Sequence, residues 1–247
     1  MFISLISGFV MGSFYNVVGF RLPISESFIY PQSHCPNCNN DLIYFDNIPV
    51  ISYLLLKGKC RFCKVNISII YPMVELFTGL LFMFAVYKME EFNLFVSLAL
   101  ISFIIIITIT DLYYFIIPNK ILMFFLCLFI LLRIIYPLDP WYESVIGFLI
   151  SYVIVFILIV LSRGGIGAGD LKLLAVLGFL TGTKIVLLGF ILAILFGGLY
   201  GFGLLLFKRK NKGDYIPFGP FIGVSILISF YYHERIINLY ITEILKL

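Results

Sequence analysis

Residues 93–120 read "NLFVSLALISFIIIITITDLYYFIIPNK", an apolar run of helix length that ends at a single acid, Asp111. A helix needs about 20 mostly apolar residues to cross a bilayer, and residues 93–112 supply them. The run shows none of the apolar–polar alternation that a half-buried strand would have. It therefore predicts a transmembrane helix with a carboxylate at its end.

The composition extends this prediction to the whole chain. Of 247 residues, 62% are hydrophobic and 12% are charged, and the mean hydropathy is +1.11, whereas soluble domains are roughly 45–50% apolar and about 25% charged. The sequence therefore predicts an all-α membrane protein, a polytopic bundle of about eight transmembrane helices. Seven helices are the alternative, because the break at 178–184 is weak. Besides 93–112, the apolar runs are 2–19, 70–88, 118–136, 142–162, 170–182, 184–207 and 217–240.

The basic residues predict how the chain is oriented. If eight spans alternate, 12 of the 17 Lys and Arg residues fall on the side of the one long polar loop, 20–69. The positive-inside rule places this side in the cytoplasm and both termini outside. The predicted partner is the lipid bilayer, and the net charge of +4 requires no nucleic acid. The other predicted cytoplasmic segments are 112–118, 162–170 and 208–216.

The polar loop carries two cysteine pairs, "CPNC" (Cys35, Cys38) and "CRFC" (Cys60, Cys63), with 21 residues between them. Four thiolates can close a tetrahedral shell around Zn²⁺. Disulfides are disfavoured in the cytoplasm, and a bound ion would help a loop of this size to fold. The spacing therefore predicts a zinc site, with reduced or redox-active pairs as the alternative.

A second acid, Asp170, opens the sixth apolar run in "GGIGAGDLKLL". The predicted topology puts it at the cytoplasmic end of its helix, as it does Asp111. Two carboxylates brought close cannot both ionise, so one can act as a base on water while the other donates a proton to a scissile carbonyl. Gly167 and Gly169 would let a substrate backbone approach these acids.

Each acid also has a simpler interpretation. Asp170 follows glycines and precedes an apolar run, so it could cap the helix N-terminus. Asp111 could be an interfacial acid at a helix C-terminus, although a carboxylate there opposes the helix dipole. Because Pro118 suits the start of the next helix, residues 112–117 are predicted to form a tight turn that holds Asp111 in place.

Six stretches, in order along the chain, carry a family resemblance. "GAGDLKLL" (167–174) is similar to the GxGD signature of intramembrane aspartyl proteases. The whole set resembles the prepilin leader peptidases of type IV pilus, type II secretion and competence systems. The other stretches are "GSFYNVVGFRLP" (12–23), "CPNCNNDLIYFDNIPVISYLLLKGKCRFC" (35–63), "YPMVELFTG" (71–79), "DLYYFIIPN" (111–119) and "IPFGPFIG" (216–223).

The resemblance implies a bacterial inner-membrane enzyme with two activities. It would cut a short basic leader from pilin-like precursors after a glycine, at the cytoplasmic face, with Asp111 and Asp170 as the catalytic pair. It would then methylate the new amino terminus, usually Phe, from S-adenosylmethionine. The implied organisation is a first transmembrane helix (1–19), a methyltransferase-associated cysteine loop (20–69) and a peptidase bundle (70–247).

The resemblance also implies residues for methyl transfer. The family's Gly-Lys before the second cysteine pair corresponds to Gly58 and Lys59. Glu75 matches the family's "VEL" and is a candidate near the methyl-donor site, the alternative being a helix-end acid paired with a loop lysine. The chain departs from many relatives at Tyr113 and Asn119, where they have acids. Neither departure affects the GxGD motif.

Two other functions remain open at this level. A proton- or cation-coupled transporter would use the membrane acids as relays, with the zinc-stabilised loop as a scaffold. A zinc-stabilised scaffold for pilus assembly would need Asp170 only as a cap. A narrower variant is a peptidase that does not methylate its product.

Overall fold

The computed structural model describes residues 1–30, 33–35, 37–89, 91–162, 165, 167–207, 216–240 and 242. Arg163 and the basic residues between 208 and 212, which contribute to the predicted charge asymmetry, lie outside these residues. So does part of the glycine-rich segment before Asp170.

The described residues form nine α-helices and no strands, which confirms the all-α prediction. Two short 3-10 turns, Leu22–Ile24 and Tyr44–Asn47, lie in the polar loop. The α-helices are α1 (Phe2–Arg21), α2 (Ile51–Leu55), α3 (Ile70–Lys88), α4 (Glu91–Tyr114), α5 (Asn119–Ile135), α6 (Glu143–Leu161), α7 (Ala168–Thr181), α8 (Thr183–Leu206) and α9 (Gly219–Leu239).

Five helices among the described residues are long and apolar enough to cross a membrane: Phe2–Ile24, Ile70–Lys88, Asn93–Tyr114, Glu143–Leu161 and Thr183–Leu206. The other three long helices do not qualify; α5 has 17 residues and α7 has 14. A long helix lies at each of the eight predicted apolar runs, but the number of spans stays a prediction.

The turn after Asp111 lies later in the chain than predicted. Helix α4 continues to Tyr114, and Phe115 then takes a positive φ of 54°. Pro118 is the N-cap of α5. Asp111 is therefore held by the last helical turn of α4 and not by the predicted turn at 112–117.

The chain divides into two compact units, Met1–Tyr113 and Tyr114–Leu247. In the first, α1 packs closely on α3 through glycines. A Cβ added to Gly8 would lie 2.6 Å from the Cα of Gly79, and one added to Gly12 would lie 2.7 Å from the Cα of Glu75. Small residues four apart let membrane helices approach in this way.

In the second unit, a similar glycine contact joins α6 to α7. A Cβ on Gly147 would lie 2.4 Å from the carbonyl oxygen of Gly178. The C-terminus of α7 is capped by Arg133, whose Nε donates to the Leu180 carbonyl at 2.8 Å. The carboxylate of Glu143 accepts the Thr183 N–H at 3.2 Å. These contacts satisfy backbone groups that helix ends leave without partners.

Candidate functional site

The four cysteines of the polar loop converge. Their Sγ atoms all lie within 4.8 Å of one another, with Cys35 and Cys60 buried and Cys38 and Cys63 partly buried. All four are free thiols, and the Sγ atoms of Cys35 and Cys63, from different pairs, lie 3.8 Å apart. Four convergent sulfur donors fit a tetrahedral ion such as Zn²⁺, so this cluster could hold a metal.

The described backbone around the two CxxC segments has the same turn after the second cysteine. In the first, the Asn39 N–H donates to the Cys35 carbonyl at 2.9 Å; in the second, the Lys64 N–H donates to the Cys60 carbonyl at 3.1 Å. Asn39 and Lys64 each follow the second cysteine of their pair and have φ of 54° and 59°. Two matching turns thus bring the four sulfurs together, two from each turn.

Backbone N–H groups favour the thiolate form at two positions. The N–H of Val65 is the main cause that lowers the pKa of Cys63 to about 6. Hydrogen bonds from the backbone of Cys38 and Asn37 lower the pKa of Cys35. The thiolate is the form that binds metal. The lowered pKa values of Cys35 and Cys63 therefore favour the form that a metal would need.

The pKa of Cys38 changes in the other direction. The backbone of Asn40 lowers it, but burial and the neighbouring sulfurs together raise it to about 11. These causes favour the protonated thiol, so a metal bound at this sulfur would displace a proton.

An ion pair within the loop supports the second cysteine pair. Arg61, between Cys60 and Cys63, places Nη2 2.7 Å from Asp46 Oδ1 and Nε 3.2 Å from Oδ2. The Asp46 side chain is only 2% exposed. Sequence reasoning missed this pair. The two residues are 15 positions apart in a mostly irregular loop, and no sequence pattern indicates that they meet.

Gly58 has a structural reason for being glycine. Its φ is +70°, and an added Cβ would lie 2.9 Å from the Tyr53 hydroxyl. That hydroxyl donates to the Ile67 carbonyl at 3.3 Å. Lys59, next in sequence, is exposed. Gly58 therefore shapes the turn into the second cysteine pair, while Lys59 presents a cation to solvent.

Glu75 is buried in α3, and its carboxylate accepts hydrogen bonds from the loop backbone and from the side chain of Ser13. Its Oε2 accepts the Val50 N–H at 2.7 Å. Val50 has φ 63° and ψ −51°, and the Ile51 N–H donates across it to the Pro49 carbonyl at 2.6 Å. This is the strained form of γ-turn, on a β-branched residue that rarely adopts positive φ. Glu75 thus anchors a strained turn. The loop group that it binds is a backbone N–H and not a lysine side chain.

Asn16 is a further buried polar residue, which sequence reasoning missed. It is 2% exposed and donates its amide to the Tyr71 carbonyl at 3.1 Å. A polar residue within the first apolar run was the available signal. Asn16 lies four residues after Gly12 and continues the face of α1 that packs on α3.

Each of the two candidate catalytic acids lies in an end turn of a helix. Asp111, in the last turn of α4, is 6% exposed. Asp170 is the third residue of α7, and the N-cap is Gly167. The interpretation of Asp170 as the N-cap is therefore wrong. An added Cβ on Gly167 would lie 3.2 Å from Asp170 Oδ2, so a side chain there would crowd the carboxylate.

The start of α7 packs on the segment that precedes α5. A Cβ on Gly169 would lie 3.3 Å from the Ile117 Cβ. Lys172 Nζ donates to Asn119 Oδ1 at 3.0 Å, so the residue that departs from many relatives has a defined partner. Asp111 belongs to the first compact unit and Asp170 to the second, and their pairing stays a prediction.

Comparison with known proteins decides the family. Residues 6–89 match the bacterial peptidase A24 N-terminal domain, and residues 98–202 match the type IV leader peptidase family. A prepilin leader peptidase/N-methyltransferase of Bacillus subtilis is 38% identical over 97% of both chains. The chain belongs to the type IV leader peptidase family.

Other members of the type IV leader peptidase family match over most of their length. A prepilin leader peptidase/N-methyltransferase of Vibrio cholerae is 34% identical over 90% of this chain and 92% of its own. One of Aeromonas salmonicida is 30% identical over 96% and 92%. No solved structure matches.

The two matched regions separate the cysteine loop from the two candidate catalytic acids. The N-terminal match contains most of α1, the cysteine loop and α3. The peptidase match contains both Asp111 and Asp170. The predicted division into 1–19, 20–69 and 70–247 stays a prediction, and family membership favours a peptidase over the transporter and scaffold alternatives.

Proposed function

We propose that this protein removes the leader from type IV pilin-like precursors and then methylates the new N-terminus. The observation that carries the proposal is the match along nearly the whole chain to relatives with both activities in their names. Two acids in helix end turns, Asp111 and Asp170, supply what hydrolysis of a peptide bond needs. The active side is the cytoplasmic face of the inner membrane, where the basic loops are predicted to lie, and both termini are outside.

In the proposed reaction, Asp111 and Asp170 share one proton. The ionised carboxylate removes a proton from water, whose oxygen attacks the carbonyl carbon of the scissile glycine. The protonated carboxyl donates its proton to the carbonyl oxygen. The tetrahedral adduct then breaks its C–N bond as the nitrogen is protonated, which leaves a glycine carboxylate and a free amine.

The surroundings of Asp170 support access for a peptide. Gly167 is exposed, and Gly169 is partly exposed. Because neither has a side chain, the backbone of the leader junction can extend beside the carboxylate. The apolar helix of the precursor would stay in the bilayer while its junction reaches this point.

The cysteine loop would serve the second activity. Cys35, Cys38, Cys60 and Cys63 would hold Zn²⁺, whose contribution is folding energy for the loop. S-adenosylmethionine would supply the methyl group, and the exposed charge of Lys59 suits its carboxylate. The geometry of Gly58 and Glu75 supports a different role, since both hold the loop backbone in shape.

The proposal is tested with purified protein and a precursor that carries a Gly–Phe junction. Asp111→Asn and Asp170→Asn should each lose cleavage by at least about 10²–10⁴-fold, the usual contribution of a general acid or base. Asp139→Asn, an exposed acid elsewhere, is the matched control and should cleave normally. Metal content and melting temperature check the fold.

Each alternative has a distinct outcome. Retained processing in both Asn variants would refute the catalytic pair. Proton-coupled uptake without any cleavage would establish the transporter alternative. Mass spectrometry of the product N-terminus with the methyl donor present decides between the bifunctional enzyme and a peptidase alone.

A further inference from the structure

The short helix α2 exposes an apolar face on the polar loop. Ile51, Leu54 and Leu55 are 52%, 67% and 78% exposed, and their spacing of three and four residues puts them on one side of the helix. The opposite side carries Tyr53, which contacts Gly58. A contiguous exposed apolar face of this kind marks a site of interaction with a partner or a membrane.

The hydrogen bond between Val50 and Glu75 places the start of α2 beside α3. Val50 is the N-cap of α2, and its N–H lies 2.7 Å from Glu75 Oε2. Glu75 is the sixth residue of α3, which is about 8 Å along the helix axis from Ile70. Since α3 is a candidate membrane span, α2 begins beside the first turns of that span.

We propose that α2 is an interfacial anchor that inserts Ile51, Leu54 and Leu55 into the acyl chains of the adjacent leaflet. Amphipathic helices of this kind bury their apolar face about 5–10 Å into the boundary between headgroups and acyl chains. The hydrogen bond to Glu75 keeps the apolar face of α2 beside the start of α3, within reach of this boundary. The partner is phospholipid, and the proposal does not depend on either enzymatic activity.

The charges around α2 complement an anionic leaflet. Lys57 lies two residues after the helix and is exposed, as are the basic residues at positions 59, 61 and 64. Basic residues next to an inserted apolar face are attracted to anionic headgroups. The charge of Arg61 is offset by Asp46, and the basic residues of this stretch without that pairing are Lys57, Lys59 and Lys64.

The anchor also gives a reason for the buried carboxylate. At this depth no water is available for the Val50 N–H, and an unsatisfied backbone donor in hydrocarbon is costly. Glu75 satisfies that donor. The cysteine loop is thus held at the membrane surface at three points. Helices α1 and α3 hold its two ends, and α2 holds its middle.

The test uses the full-length protein in vesicles of phosphatidylethanolamine and phosphatidylglycerol. Trp141→Phe removes the single tryptophan, and Leu54→Trp then introduces a probe on the apolar face. Asn40→Trp, at an exposed position of the first cysteine pair's turn, is the matched control. Tryptophan emission is recorded with and without lipids brominated near the headgroup end of the acyl chain.

We expect the Leu54→Trp probe to have blue-shifted emission that brominated lipid quenches and aqueous iodide does not. The Asn40→Trp control should show the reverse. Metal content equal to that of the parent shows that the loop is folded; if Leu54→Trp lowers it, Leu55→Trp replaces that probe.

Three outcomes would overturn the proposal. One is a Leu54→Trp probe that iodide quenches and brominated lipid does not. Another is equal lipid quenching of both probes. The third is a probe that becomes shielded only when a pilin precursor is added, which would make the face of α2 a protein-docking surface.

Discussion

Glu75 Oε2 accepts the backbone N–H of Val50 at 2.7 Å, so a carboxylate inside a candidate membrane span holds the strained turn that starts α2. The contact joins two segments 25 residues apart. The contact makes Glu75 a positioning residue for the cysteine loop. Experiments can distinguish this positioning role from a direct role in the chemistry.

Glu75→Gln should preserve methylation, because the amide oxygen can still accept the Val50 N–H. Glu75→Leu removes the acceptor and should destabilise the loop by about 1–3 kcal/mol, the cost of an unsatisfied buried donor. Limited proteolysis of the loop and methylation of a pre-cleaved product are the measurements. Loss of methylation in Glu75→Gln with an intact loop would instead indicate that the carboxylate takes part in the chemistry.

Gly58→Ala should weaken the cysteine loop through strain in its backbone. A left-handed conformation costs a non-glycine residue roughly 1–2 kcal/mol, and the new Cβ would also meet the Tyr53 hydroxyl at 2.9 Å. The expected result is a lower metal affinity, measured by competition with a chelating dye.

The competing view of Gly58 predicts a different pattern. If its backbone touched the methyl donor, Gly58→Ala would raise the KM for S-adenosylmethionine and leave metal affinity unchanged. Measuring both quantities on one preparation distinguishes the two roles.

Removing the metal should separate the two activities. A chelator, or Cys60→Ser, should abolish methylation while leader cleavage persists, because the cysteine loop and the two acids lie in different matched regions. The purified protein should contain one zinc per chain by elemental analysis, since four sulfurs close a single shell. Cys127→Ser is the matched control and should retain both metal and methylation.

Gly169→Ala should slow cleavage, and Gly169→Val should slow it further. An added Cβ lies 3.3 Å from the Ile117 Cβ and 3.4 Å from its Cδ1, so the Ile117 side chain or the first turn of α7 must give by a few tenths of an ångström, and movement of that turn displaces Asp170. Ile117→Ala should restore part of the rate of Gly169→Ala by removing the outer contacts. Equal rates for Gly169→Ala and the parent in a single-turnover assay would contradict this account.

Much of the fold was predictable because each membrane helix forms from one continuous segment of the chain. A run such as 93–112 satisfies its own backbone hydrogen bonds and needs only apolar side chains to cross a bilayer. The cysteine cluster was predictable for a similar reason, since ligand spacing restricts how a short loop can close. Only the ends moved: α4 continues to Tyr114, and Gly167 takes the N-cap position that Asp170 was a candidate for.

The contacts that shape the candidate sites were not predictable from the chain. The Arg61–Asp46 pair and the Val50–Glu75 hydrogen bond join segments through irregular loop, where no period or spacing indicates which groups will meet. The contact of Gly169 with Ile117 spans more than 50 residues. Amino-acid order thus specifies which helices form and which ligands lie near each other along the chain. Side-chain contacts between distant segments depend on packing that exists only in the folded chain, because burial and hydrogen bonding are properties of the assembled interior.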